Sequence, residues 1–456
     1  MNSNARQVVS VMCVVAAGML GGVANAGADV LSLDQCIDTG LIHAPDIKAS
    51  LSRLAAARSA VKSAESAYYP WVSVASALMQ SDNPPQAFMM TLNQRRLDMR
   101  DPAFDPNHPD DTDNLSASIG AQYRLFDGGR RSLDHAMAEL GAFAAGENLN
   151  AIRNELVHQI TRAYYGAMKA KTFISVMDES VKTTEESLRI ARERYQAGAA
   201  LETDVLNLEV QQSQASEDLV RARNGLLMAV AALNAAIGCD LATADNITVE
   251  NRELPAAPAD GDTSGAVKNR PEFKAMQQVA EIRQKALQKA VREYVPTFNL
   301  FGSSEWDSNV STDFQQSYTV GVMAELNVFD GFRTRSAIKE ARAQADAALA
   351  DQEKVFSQLK LDLIQAGLEV KEAGERAAVT RKGVISAERA LQITRDRYQN
   401  GAAVVVDLIM AQTGLTAMHA RNTAAYYDCL MALSNLARAR GELAVEYAKT
   451  GTATAK

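Results

Sequence analysis

Two segments of the chain alternate apolar and polar positions with a period of two. Leu115, Ala117, Ile119, Ala121, Tyr123 and Leu125 are apolar, and Ser116, Ser118, Gly120, Gln122 and Arg124 lie between them. Tyr318, Val320, Val322, Ala324, Leu326 and Val328 repeat the pattern, with Thr319, Glu325 and Asn327 on the other face. This alternation predicts strands, each as long as a membrane-spanning strand of about 9–11 residues. Trp71 to Met79 and Thr297 to Trp306 are weaker partners, which makes four strands. Elsewhere the period is helical. Phe356, Leu359, Leu363, Ala366, Val370 and Ala373 follow coiled-coil spacing, and Leu361, Ile364 and Leu368 form a second stripe. Two apolar faces call for neighbours on two sides, as in a closed ring of helices; a long solenoid or bundle would also supply them.

Proline marks where helices can run. The chain has 11 prolines. None falls between Asp110 and Leu254, and none between Thr297 and the C-terminus. Proline breaks helix interiors, so both stretches permit very long helices. From Gly128 to Gly198 is about 70 residues, roughly 105 Å of helix. From Gly198 to Gly238 is about 40 residues, roughly 60 Å. The second half runs likewise from Gly331 through Gly401 to Gly441. Gly198 and Gly401 suit left-handed helix ends, and Asp204 and Asp407 sit where the returning helices begin.

These parallels are a duplication. Leu188 to Asp204 reads LRIARERYQAGAALETD, and Leu391 to Asp407 reads LQITRDRYQNGAAVVVD. The offset between Tyr195 and Tyr398 is 398 − 195 = 203, and between Phe126 and Phe329 it is 329 − 126 = 203. One structural unit is therefore built twice: residues 27–254, then residues 255–445, with a C-terminal tail at 446–456. The first inter-strand loop is the longer one. It holds Pro84-Pro85 and an Asp- and Pro-rich run from Asp101 to Asp113, the character of an exposed, irregular cell-surface loop.

Residues 1–26 have the form of a secretory signal. Arg6 is its only charge, Val8 to Val23 is largely apolar, and Ala24-Asn25-Ala26 is a small-residue cleavage site. Cys13 follows Met12 rather than a small residue, so a non-lipidated chain starting near Gly27 is expected. The 456-residue chain has 47 Lys and Arg against 55 Asp and Glu. Without Arg6 the balance is 46 − 55 = −9, which argues against a nucleic-acid partner. No later segment is apolar enough for a transmembrane helix. Cys36 and Cys239 fall near helix ends and could pair; the favoured reading is that they and Cys429 are buried or idle thiols. His43, His108, His135, His158 and His419 lack metal-ligand spacing, and neither a phosphate-binding loop nor a nucleophile motif is present. We expect no enzyme activity, cofactor or metal.

Four strands cannot close a barrel with a polar lumen, but three chains supply twelve. Unpaired strand edges are costly in lipid, so the strand count implies a homotrimer. A small soluble β-domain with one wet face is the alternative.

The duplication, the FDG-x-R turns at Phe126 and Phe329, and the two R-Y-x-x-G-x5-D motifs together resemble the TolC-like outer membrane efflux protein family. The resemblance covers nearly all of the mature chain. It implies a mainly α fold with a β membrane part. Duplicated coiled-coil hairpins would form an α-barrel, and four strands per chain would join a trimeric twelve-stranded β-barrel. It implies a location in the outer membrane of a Gram-negative bacterium, reaching into the periplasm. The function implied is an exit duct for efflux or type I secretion, in contact with outer-membrane lipid. Its partners would be a periplasmic adaptor (membrane fusion) protein and an inner-membrane transporter of RND, ABC or MFS type.

On this resemblance, Arg194, Tyr195, Gly198, Arg397, Tyr398 and Gly401 would form tips that dock the adaptor. Tyr398, Asp204, Asp407 and Met410 would belong to the periplasmic gate, with Tyr398 linked to Asp204. The family's gate arginine falls at Ala403 and its inward acidic ring at Met410, so neither charge is present here. The runner-up is a periplasm-spanning coiled-coil stalk or adhesin spacer.

Overall fold

The computed structural model describes residues 31–100, 105–247, 263–309 and 313–442. The signal at 1–26, the repeat boundary at 254/255 and the tail at 446–456 lie outside the described residues. Two 67-residue helices, α4 (Arg130–Gln196) and α8 (Arg333–Gln399), dominate the molecule. Each is about 100 Å long at 1.5 Å per residue. Each turns back into a 36-residue helix: α5 (Glu202–Ile237) after α4, and α9 (Val405–Arg440) after α8. The offset of 203 holds throughout, since 333 − 130 = 203 and 405 − 202 = 203.

Shorter helices complete each repeat: α1 (Leu33–His43) and α2 (Pro45–Glu65) in the first, α6 (Thr263–Asn269) and α7 (Pro271–Val291) in the second. They give α4 and α8 different neighbours along their lengths. Near the sheet the lateral order is α2, α4, α7, α8; towards the tips it is α5, α4, α9, α8. The largest buried cluster lies midway, where Cys36 and Ile37 of α1 meet Val157, Ile160 and Tyr164 of α4 and Leu233 and Ile237 of α5.

The FDG turns start the long helices. Asp127 is only 2 % exposed, and its carboxylate accepts the N–H groups of Gly129 and Arg131, both at 2.9 Å. Asp330 likewise accepts the Thr334 N–H at 2.9 Å. These carboxylates satisfy N–H groups that a helix start leaves without partners and complement its positive end.

Strands β1 (Trp71–Ser81), β2 (Thr112–Phe126), β3 (Thr297–Ser308) and β4 (Gln315–Glu325) form one antiparallel sheet in the order β1-β2-β3-β4. Paired residues share a face. Val74 pairs with Ile119, Tyr123 with Leu300, Leu300 with Val322, and Gly302 with Val320. That face is apolar. The opposite face carries Ser73, Ser118, Gln122, Ser303, Glu305, Ser317 and Thr319. Aromatic residues crowd the sheet end that joins the helices: Phe126 and Phe298 in the strands, Tyr69, Tyr294, Phe329 and Phe332 in the turns. All are exposed in the single chain. Aromatic rims of this kind border membrane barrels at the lipid–water boundary.

The structure corrects the sequence at two places. β4 ends at Glu325, so Leu326 and Val328 stand outside the strand and are exposed. The first inter-strand loop is not irregular throughout. Its Pro84-Pro85 pair opens a helix, α3 (Pro84–Asn93), because proline is tolerated in the first turn. The segment after α3 crosses the polar face of the sheet. Buried Gln94 donates to Asn114 Oδ1 at 2.9 Å, and Asn114 donates to Asp307 Oδ1 at 2.8 Å. Arg95 reaches the Gln316 carbonyl at 3.2 Å. Residues 101–104 of this loop lie outside the described residues.

Cys36, Cys239 and Cys429 are free thiols. Burial, and then the nearby Cys239, push the Cys36 thiol up to about 12. Its thiolate is therefore scarce below strong alkali. At pH 8, mass spectrometry after iodoacetamide treatment should find half-buried Cys239 alkylated well before Cys36 and Cys429. At the FDG turn, Asp127→Ala leaves two N–H groups without their acceptor. It should lower the stability of the detergent-solubilised protein by about 2 kcal/mol in thermal unfolding.

Candidate functional site: the helical tips

The two α-hairpin tips share one backbone. Gly198 and Gly401 take φ values of 71° and 74°, the left-handed region that favours glycine. Ala199 N–H donates to the Arg194 carbonyl and Ala402 N–H to the Arg397 carbonyl, each at 2.8 Å. Gly198 and Gly401 N–H groups close the inner turns on Tyr195 and Tyr398 at 2.9 and 3.0 Å. This is the helix-ending pattern that a left-handed glycine permits, and it launches the Arg-Tyr pair of each tip in the same way.

The surroundings of the two pairs differ. Leu188, Ile190, Ala191, Val205 and Leu208 of the first hairpin form one apolar cluster with Leu391, Tyr398, Val405 and Leu408 of the second. Tyr398 is 3 % exposed. The Arg194 guanidinium lies over its ring, 4.9 Å from the centroid. One Arg194 nitrogen donates to the Ala199 carbonyl at 3.2 Å, while its Nε and Nη1 have no hydrogen-bond partner among the described residues. A Cβ added at Gly401 would sit 3.4 Å from Arg194 Nη2, so a glycine here also lets the guanidinium pass close by. The stack is a cation–π contact between the two hairpins of one chain.

The Tyr398–Asp204 hydrogen bond implied by the resemblance is not formed. The Tyr398 hydroxyl has no hydrogen-bond partner among the described residues. The Asp204 carboxylate folds back onto the Leu201 N–H at 3.3 Å, at the start of its own helix. Asp204 still acts on Tyr398 through its field. Burial, then the Asp204 charge, raise the phenol above its ordinary range, and Arg194 opposes them. Tyr398 thus stays protonated and neutral through physiological pH. The remaining residues expected at this site are open in the single chain: Tyr195, Gly198, Arg397 and Asp407 are exposed, and Met410 is 68 % exposed.

The sequence did not show what joins the hairpins above the tips. A polar seam links α4 to α9. Gln412 donates to the Thr183 carbonyl at 3.2 Å and also to Ser187 Oγ. Ser180 and Thr416 hydroxyls meet at 3.1 Å, and Thr172 meets the Tyr427 hydroxyl at 2.9 Å. Near mid-length, Asp362 of α8 accepts from Arg270 at 2.6 Å and from Arg438 at 2.9 Å. Period-based reading cannot see such pairs, because their partners lie more than 70 residues apart. Among the described residues, no group of three or more His, Cys, Asp or Glu is placed to hold a metal ion. None of the described helices is long and apolar enough to cross a membrane.

A sheet with one apolar and one polar face, mounted on helices of about 100 Å, has the build of a subunit of an outer-membrane duct. Residues 36–239 and 263–442 match the family model described as outer membrane efflux protein, and the chain belongs to that family. It is 25 % identical over 338 residues to the outer membrane efflux protein BepC of Brucella suis, covering 73 % of each chain. It is 24 % identical to protein CyaE of Bordetella pertussis, covering 84 % of this chain and 78 % of that one. Its fold is that of a membrane protein from Pseudomonas aeruginosa, with a TM-score of 0.80, 20 % identity, and coverage of 91 % and 93 %. The chain is thus an outer-membrane protein of TolC-like fold with a periplasmic extension.

The unpartnered hydroxyl gives a sharp prediction. Tyr398→Phe should leave tip stability within about 0.5 kcal/mol, whereas Tyr398→Ala should cost about 3–5 kcal/mol through the cavity it opens. Limited proteolysis at the tips and thermal unfolding would check both. A large loss in Tyr398→Phe would mean that the hydroxyl is bonded after all.

Proposed function

We propose that three copies of this chain form a closed duct that conducts substrates passively from a periplasmic adaptor and inner-membrane transporter to the cell exterior. The observation that carries this reading is the unequal surroundings of equivalent repeats. α4 packs on α7 near the sheet and on α9 towards the tips. α8, its image in the second repeat, shows no matching principal contact with α2 or α5. Its residues Leu361, Ile364, Leu368, Val379 and Ile385 are exposed, as are Val210, Val220 and Leu227 of α5. Ile190 of α4 is 7 % exposed, and its image Ile393 of α8 is 45 % exposed. Seating α8 of one copy against α2 and α5 of the next gives the second repeat the neighbours that the first already has. The same step pairs the free edge of β4 with that of β1 from the next copy, as lipid requires. Twelve strands then surround a polar lumen.

The tips are the periplasmic end of this duct. Arg194, Tyr195, Gly198, Arg397, Tyr398 and Gly401 form the surface offered to the adaptor. Tyr398, Asp204, Asp407 and Met410 belong to the closure. Within one chain, the Arg194–Tyr398 stack holds the hairpins together. A desolvated contact of this type is worth about 1–2 kcal/mol. An adaptor opens the duct to the extent that it binds the separated hairpins better than the stacked ones. Transport energy comes from the inner-membrane transporter, of RND, ABC or MFS type.

The test is single-channel conductance of detergent-purified protein in a planar bilayer, with light scattering to count chains. We expect a trimer whose small wild-type currents are matched by Tyr398→Phe and exceeded by Tyr398→Ala and Arg194→Ala. Equal large currents in all four would keep the duct and reject the gate. A protein that is soluble without detergent and makes no channel would favour the stalk.

A further inference from the structure

The stack at the tips pairs an arginine of the first repeat with a tyrosine of the second. Arg194 covers Tyr398 at 4.9 Å. Each repeat carries both residues, because Arg194-Tyr195 and Arg397-Tyr398 occupy equivalent positions. One arginine and one tyrosine are therefore left over in each chain. Arg397 is exposed, and Tyr195 is 45 % exposed where its image Tyr398 is 3 % exposed.

The leftover pair lies on the two open flanks. Arg397 is at the end of α8, the flank whose apolar residues lack partners. Tyr195 is at the end of α4, beside α5, on the opposite flank. The backbones of the two tips match in glycine φ and in both turn hydrogen bonds, so each arginine leaves its helix in the same direction. The space is also prepared. Gly401 lies beneath Arg194, whereas a Cβ at Gly198 would meet nothing within 4 Å. Gly198 offers the same slot with no guanidinium in it.

We propose that Arg397 stacks on Tyr195 of the partner subunit, so that Arg–Tyr contacts alternate within and between chains around the ring of tips. This rests on the trimeric duct proposed above. It goes beyond that reading by naming the residues that close the ring and by making Tyr195 and Arg397 gate contacts as well as docking surface. Asp407 then stands to the partner's Tyr195 as Asp204 stands to Tyr398, as a nearby field rather than a hydrogen-bond partner. A trimer holds three contacts of each kind. Breaking either set loosens the same ring, whereas a surface side chain with no partner leaves gating untouched.

The test uses full-length trimer. Tyr195→Cys with Arg397→Cys, treated with a short bismaleimide, should give covalent dimers and trimers on denaturing gels. Arg194→Cys with Tyr398→Cys should link within one chain and give no ladder. Wild type treated in parallel reports any linkage through Cys36, Cys239 and Cys429. In bilayers, Arg397→Ala should raise the open fraction roughly tenfold or more, as should Arg194→Ala. Tyr195→Ala, which removes the ring, should raise it by a similar factor. A trimer by light scattering that neither forms the ladder nor changes its current in Arg397→Ala overturns the proposal alone. A monomer, or a protein without channel activity, overturns the trimeric reading beneath it.

Discussion

Each repeat of this protein needs a second repeat beside it, and that need shapes everything else. A long helix with apolar residues on two sides is stable only between two neighbours. α4 has both neighbours within the chain; α8 has one. The sheet states the same deficit in hydrogen bonds, since β1 and β4 each keep a free edge. Backbone groups and apolar side chains are separate demands, yet both are left open on the same two flanks. The association proposed above would meet both in a single step, with a geometry already displayed inside the chain by the packing of α4 on α7 and α9.

Along the length of the duct, the materials of this packing change. The midsection is a dense apolar cluster in which Ile37, Val157, Ile160, Leu233 and Ile237 are almost fully buried. Close-packed interiors deform little. Beside it, Asp362 bridges Arg270 and Arg438 and fixes α8 against the start of α7 and the end of α9. His158 lies in the same region, and burial followed by the Arg438 charge keeps its imidazole below its ordinary range and neutral. Below this level, ahead of the apolar cluster at the tips, hydroxyls and an amide enter the α4–α9 contact. Such pairs can exchange partners during small sliding of one helix on another, whereas interlocked side chains cannot. The tips are thus joined to an apolar middle through a polar seam.

The parts legible from sequence were those with a period or a punctuation mark. Absent prolines and the glycines at 198, 238, 401 and 441 located the long helices to within a few residues. Alternation located the strands, although Leu326 and Val328 continued the pattern past the end of β4. Pro84-Pro85 misled because two adjacent prolines read as a break, when they occupy a helix's first turn. At the site, the duplication singled out Arg194, Tyr195, Arg397 and Tyr398 but could not say which touches which. Pairing depends on the lateral order of helices, which one chain's periodicity does not encode. Asp204 shows the same limit. Its position beside a helix start was evident, and that local role, capping Leu201, takes the carboxylate that a longer-range link to Tyr398 would need.

In the gate proposed above, an arginine on a tyrosine face suits a contact that must yield. With Ala403 and Met410 in place of charged residues, the tips lack the ion pair and acidic ring that the resemblance would supply. A buried ion pair broken on one side leaves an unpaired charge in a poor solvent, which is strongly unfavourable. When the Arg194–Tyr398 stack separates, the guanidinium moves towards water, and the phenol exposes a surface that is only partly apolar. Two of the Arg194 nitrogens lack hydrogen-bond partners among the described residues in the stacked state, so separation of the stack would give them solvent. In the gate proposed above, the stacked state is held by apolar cover and a modest cation–π attraction, and opposed by incomplete hydrogen bonding. On that proposal, the balance leaves a free-energy gap small enough for the differential binding of a docking partner to reverse it.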